Sequence, residues 1–221
     1  MTSTMRSGFQ RELDELYQDV LKMGSIVEQQ IFNAVESLKN KDKELAEKVI
    51  KDDDIVDNLE TSIEDKCIKL IARQQPMAKD LRIIFTGIKI VTDLERMSDY
   101  ATDIAKFTIR LLGEKYIKPL IDIPRMSEKT RKMVKDALDA YVHEDTELAR
   151  QVCADDDEID HLYKQIFNEL LIIMMQDPRT IKQATQLLFS ARALERIADH
   201  ATNLGEWVIF QVTGKKKDLN A

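Results

Sequence analysis

Glu95 and Asp99 stand four residues apart, Asp103 follows four later, and Glu195 and Asp199 repeat the first spacing one hundred residues on. Their surroundings repeat as well. Leu94-Glu95-Arg96, then Asp99, then Ala101-Thr102 becomes Leu194-Glu195-Arg196, then Asp199, then Ala201-Thr202. Both stretches are apolar-periodic and free of proline, so both are expected on helices. On a helix, residues four apart are stacked neighbours. Glu95, Asp99 and Asp103 therefore form a ridge of carboxylates. Like charges at that spacing destabilise a helix by a few tenths of a kcal/mol per pair, roughly. A chain that builds such a ridge twice either has surface to spare for a solvated charged face or has a cation to hold, and the repetition shifts the balance toward the cation.

At about 100° per residue, Ile84, Gly87, Val91, Leu94, Ser98, Ala101, Ala105 and Thr108 share one face, expected to be buried. Glu95 and Asp99 lie at the edge of that stripe, where they can meet acids from a neighbouring helix. Asp53 and Asp57 supply such acids, again four apart, and Asp156 and Asp160 repeat them 103 residues later.

That repetition belongs to a duplication of the whole chain. Residues 27–62 align without gaps on 130–165: Ala34 with Ala137, Asp42 with Asp145, Glu44-Leu45-Ala46 with Glu147-Leu148-Ala149, Asp52-Asp53-Asp54 with Asp155-Asp156-Asp157. Pro76 answers to Pro178. Surface acids drift freely, so the survival of these four pairs in matching places marks them out. Asp57 lies 19 residues before Pro76 and Glu95 19 after it. If the chain turns at Pro76, the two acid pairs sit at similar height on adjacent antiparallel helices, and four carboxylates can converge in each half.

The helices that carry them are legible in order. Leu13, Leu16, Val20, Met23, Val27, Ile31, Ala34 and Leu38 recur at steps of three and four, the mark of an amphipathic helix over about 6–39. Asp42 is placed to cap a second helix over 43–73. Gln74-Gln75-Pro76 ends it, and a third runs over 77–112 to Gly113. Residues 114–124 form the linker. Helices over 125–142, 146–175 and 180–212 follow. The fold class expected is all-α: two tandem, pseudo-symmetric, antiparallel three-helix bundles, 6–113 and 125–213. Each helix of about 30 residues spans roughly 45 Å.

Composition agrees and excludes. Six glycines, four prolines and 6% aromatics disfavour a β-rich fold, while 43% hydrophobic residues can fill a core. A net charge of −7 makes the chain a poor generic partner for nucleic acid. No apolar signal segment precedes residue 11, and the longest apolar run, Leu170 to Met175, is far short of a membrane span. A cytoplasmic protein is expected, reaching a membrane only through partners. Cys67 and Cys153, at unrelated places in the repeat, are expected as buried free thiols. The basic tail Lys215-Lys216-Lys217 reads as solubilising, or as a contact for acidic lipid or protein.

Carboxylates without His or Cys make a hard, oxygen-rich donor set. Iron, manganese, magnesium or calcium suit it, and zinc suits it less. The Glu-x-x-His motif of di-iron bundles is missing, which disfavours a buried oxygen-activating centre. His143, His161 and His200 are expected at the surface or facing partners. Arg96 and Arg196 are expected to orient the carboxylates through ion pairs. No Walker A loop, strand-associated GxGxxG, or nucleophile paired with a base is present.

Gln74-Gln75-Pro76, Asp80-Leu81-Arg82, Asp93-Leu94-Glu95-Arg96 with Asp99, and Leu194-Glu195-Arg196-Ile197-Ala198-Asp199-His200-Ala201-Thr202-Asn203 together resemble the PhoU family of phosphate-uptake regulators. The likeness runs from about Phe9 to Phe210. It implies two tandem three-helix bundles with multinuclear clusters of iron, or of another metal such as zinc, manganese or calcium, on E/D-xxx-D motifs. Those motifs fall here at Glu95/Asp99 and Glu195/Asp199. The resemblance also implies a cytoplasmic, often dimeric regulator acting with the ATPase-driven phosphate ABC transporter and a sensor histidine kinase, holding the starvation response off when phosphate is plentiful. Two departures stand out: Asn203 replaces the acid at Asp103, and Asp80-Leu81-Arg82 has no counterpart near Lys182. Three readings follow: a regulatory adaptor, a metal-cluster enzyme or storage protein, and a plain helical scaffold.

Overall fold

The computed structural model describes residues 3–215, with side chains from Gly8 onward. Lys216 and Lys217 of the basic tail lie outside the described residues. Six helices follow in order: α1 Ser3–Asn40, α2 Lys43–Gln74, α3 Lys79–Arg110, α4 Asp122–His143, α5 Thr146–Gln176 and α6 Ile181–Thr213, with a short 3-10 turn at Pro178–Thr180. Among the described residues there is no strand. The chain is all-α, as the periodicity predicts.

The eight apolar positions of α1 from Leu13 to Leu38 are all buried, and so is the whole α3 stripe from Ile84 to Thr108. Helix ends follow their signals. Asp42 Oδ1 accepts the Leu45 amide at 3.0 Å, and its repeat mate Asp145 accepts those of Glu147 and Leu148. Gln75 closes α2 in the left-handed region, its amide donating to Ile71.

Two boundaries differ from the expected ones. Helix α3 starts at Lys79, because Ala78 takes a positive φ of 44° and leaves Met77 in solvent. Helix α4 starts at Asp122 and includes Pro124. In the first turn a proline lacks only an N–H that would be unpaired anyway.

Helix α3 packs on α1, α2 and α6, and α6 on α3, α4 and α5, while α1 also meets α4. The two bundles therefore share one continuous apolar core. Helices α2 and α5 are outermost, each touching only its own half. The linker is tied down: Tyr116 donates its hydroxyl to the Leu38 carbonyl, and Gln183 of α6 accepts from the Ile117 amide at 2.7 Å and donates to the Lys115 carbonyl at 2.9 Å. Both cysteines are free and buried. No helix among the described residues is long and apolar enough to cross a membrane.

Helices α5 and α6 approach closely at Gly205, where a Cβ would lie 2.8 Å from the Ala149 carbonyl oxygen. Backbone cannot swing aside as a side-chain tip can. Gly205→Ala is expected to destabilise the fold by about 1–3 kcal/mol, a fall in Tm of several degrees by calorimetry, whereas Gly8→Ala, on a helix with nothing near, does not lower Tm.

Candidate metal centre

The acids singled out by spacing lie on two seams, α2 against α3 and α5 against α6. In the first half Glu95 is largely buried, with 19% of its side chain exposed, and Asp99 is at the rim with 46%. In the second, Glu195 is down to 10% and Asp199 to 37%. The neighbours expected across each seam are present. The Glu95 carboxyl is pushed above its ordinary range by burial and then by the charges of Asp99, Glu60 and Asp57. Asp57 is raised by desolvation and by Asp53 and Asp99. Asp156 is pushed up to about 7 by burial, reinforced by Asp199, Asp160 and Glu195. Glu195 is raised by burial and by Asp199 and Asp160.

The carboxylates thus converge closely enough to feel each other's charge. They do not form a finished ligand set: among the described residues, no three His, Cys, Asp or Glu side chains stand together as they would around one ion. Asp103 lies one turn further along α3. It pairs with Lys106 at 3.4 Å and is not among the charges acting on Glu95 or Asp57.

The arginines do what the sequence suggests. Arg96 lies 3.4 Å from Glu95 and 3.3 Å from Asp99, and Arg196 lies 3.0 Å from Asp199. These pairs are half exposed and add little stability, but they fix which way the carboxylates point. Arg192, which spacing did not single out, donates to Glu195 Oε1.

Two further features escaped the sequence. Glu60 joins the first cluster; its repeat mate is Tyr163, so comparing the halves filtered it out. Ser98 Oγ lies 2.6 Å from Asp53 Oδ1 and 2.7 Å from the Gln30 side-chain amide. A hydroxyl has one proton. The arrangement that satisfies all three groups has the Gln30 NH2 turned to donate to Ser98, which donates to Asp53. In the second half Ala198 and Met133 hold those positions. Asp156 Oδ1 and Glu195 Oε2 are then buried with no hydrogen-bond donor among the described residues. Leaving such oxygens unsatisfied costs about 1–3 kcal/mol each. An all-oxygen donor set with two carboxyl oxygens that no protein donor satisfies suits a hard cation.

The histidines divide. His143 and His161 are exposed and bond to their own helix carbonyls, at Asp139 and Asp157. His200 is not at the surface as expected. It is drawn into the α3–α6 seam, its Nδ1 2.8 Å from Asp93 Oδ1 and its ring 5.8 Å from that of Tyr100. Asn203 Nδ2 donates to the same Asp93 oxygen at 3.2 Å. A cleft of about 650 Å³ lined by Tyr17, Lys79, Asp80, His143 and Glu144 contains none of the nine acids expected to bind metal.

Two seams of paired acids on a duplicated six-helix frame are thus in place. The PhoU domain matches residues 20–108 and again residues 123–208. The chain belongs to the PhoU family. It is 50% identical over 97% of its length to the phosphate-specific transport system accessory protein PhoU homolog of Clostridium acetobutylicum, covering 99% of that protein. The PhoU homolog of Aquifex aeolicus is 46% identical over 84% of both chains. Among solved structures, PhoU from Pseudomonas aeruginosa superposes with a TM-score of 0.90 at 38% identity, over 94% of this chain and all of the other. The phosphate transport system regulatory protein PhoU from Streptococcus pneumoniae gives 0.89 at 31% identity, over 95% and 99%. One of the two matches falls in each half of the frame.

Asp156 carries a pH consequence. Its folded carboxyl is raised from 3.8 to about 7, so between those values the folded state holds more protons than the unfolded one. Stability in chelator therefore falls as pH rises through that window. Asp156→Asn is expected to remove part of the slope and to raise Tm at pH 8. After screening of a half-exposed group the gain is about 1 kcal/mol, or roughly 3 °C for a chain of this size. A thermal-melt series in chelator from pH 5 to 8 with no difference between the two proteins would refute it.

Proposed function

We propose that this chain restrains phosphate uptake and phosphate-starvation signalling as a non-catalytic adaptor. It would act in the cytoplasm, as a homodimer, through contacts with the ATPase subunit of the phosphate ABC transporter and with a sensor histidine kinase. The observation that carries this reading is the family membership of both halves together with near full-length identity to accessory proteins of phosphate-specific transport. The absence of a paired nucleophile and base from the sequence is consistent with an adaptor, and so is the separation of the acids from the 650 Å³ cleft.

Contact with other proteins has a physical basis at the ends of the outer helices. Met77 is 80% exposed and Met175 76%, with Ile68, Leu171 and Ile172 also in solvent. Flexible, polarisable methionines at a helix tip suit apolar docking.

The carboxylates enter this reading as holders of hard metal, iron first, with manganese, calcium or zinc as other occupants. Asp53, Asp57, Glu95 and Asp99 would hold one cluster, and Asp156, Asp160, Glu195 and Asp199 the other. When bound, the metal would supply positive charge that neutralises each seam and draws α2 to α3 and α5 to α6. Arg96 and Arg196 would keep the rim acids turned inward.

Deletion of the gene is expected to raise a phosphate-starvation reporter in phosphate-rich medium several-fold. The wild-type chain restores repression, and Asp99→Ala/Asp199→Ala restores it incompletely if metal serves the regulation. A reporter that stays silent in the deletion strain at high phosphate would sink the proposal. Full repression by the double variant would remove the metal from it and leave the adaptor.

A further inference from the structure

The two carboxylate seams differ in one detail that the duplication makes visible. In the first half Ser98 donates to Asp53 Oδ1, with Gln30 behind it. In the second half Ala198 and Met133 stand at those positions and offer no proton. Asp156 Oδ1 is left without a donor, and Glu195 Oε2, on a side chain nine-tenths buried, is left without one too. The other Glu195 oxygen is held by Arg192, and the charges of Asp199 and Asp160 act on the same carboxyl.

We propose that the α5–α6 seam is the tighter of two cation sites, and that Ala198 in place of Ser98 makes it so. This deepens the metal reading above and rests on it. A cation that takes Asp53 Oδ1 in the first seam must displace the Ser98 proton. One entering the second meets two buried carboxyl oxygens that no protein donor holds.

Charge count runs the other way. The first seam has an additional acid, Glu60, where the second has Tyr163. The second also has Arg192, which leans on the Tyr163 ring at 5.6 Å. Glu60 and the Arg192 head are both partly solvated, and charges at such positions are screened. Orphaned buried oxygens are not. The balance favours the second seam.

The test is a titration of chelator-stripped full-length protein with Mn2+, reading free Mn2+ by electron paramagnetic resonance. Two classes of site are expected. Glu195→Gln/Asp199→Asn removes the tighter class, and Glu95→Gln/Asp99→Asn the weaker. Ala198→Ser weakens the tighter class by about tenfold, and Ser98→Ala tightens the weaker class by a similar factor. Ser98→Ala only removes atoms, so it decides the matter alone should Ala198→Ser fail to fold by circular dichroism. Equal affinities, loss of the tighter class in the first-half variant, or an unmoved weaker class in Ser98→Ala would each overturn the ordering while leaving the metal reading in place. A wild type that takes up no Mn2+, Fe2+ or Zn2+ would overturn both.

Discussion

Carboxylates are held against one another here by groups that have nothing to do with charge. Glu95 follows Leu94 and Glu195 follows Leu194, and both leucines are fully buried in the shared core. Burying a leucine contributes about 1.5–3 kcal/mol. Repulsion between stacked acids costs roughly a few tenths. The core therefore wins, residue by residue, and the acids stay at the seam whether or not a cation is present. Every other feature of the site depends on that inequality: the raised Asp156 carboxyl, the arginines at the rim, and the orphaned oxygens.

The same inequality explains the layout. Helices α3 and α6 are each surrounded by three neighbours, so they can carry buried polar groups without losing their place. Helices α2 and α5 touch only their own half and supply acids from the outside. Each seam thus joins a fixed inner rail to an outer helix, the geometry in which a change of charge between the two has the most freedom to alter their spacing.

Much of this was legible in the sequence because the relevant signals are periodic or repeated. The buried stripe from Ile84 to Thr108 followed from 100° spacing, the caps from Asp42 and Asp145, and the paired acids from internal comparison. What escaped was of two kinds. Glu60 and Arg192 are not repeated, so a method that looks for what both halves kept passes over them. The second kind is contact between distant segments: Gln30 with Ser98, or Asp93 with His200, 107 residues apart. His200 is expected at the surface or facing a partner, and only the packing of α6 on α3 brings Asp93 to it. Asp103 continues the ridge by count, and its side chain pairs with Lys106.

Asn203 looks, in sequence, like a lost acid. In the seam it is a donor to Asp93, beside His200. Under strict two-fold symmetry a contact of this kind would occur twice, once on each side of the axis. Here the mates of Asp93, His200 and Asn203 are Ala193, Tyr100 and Asp103, and alanine has no side-chain acceptor to offer. One side of the axis has the acceptor and the other lacks it. A chain descended from two identical units has in this way acquired a head and a tail, and a molecule approaching its α3–α6 seam meets a polarity that the symmetric course of the helices does not announce.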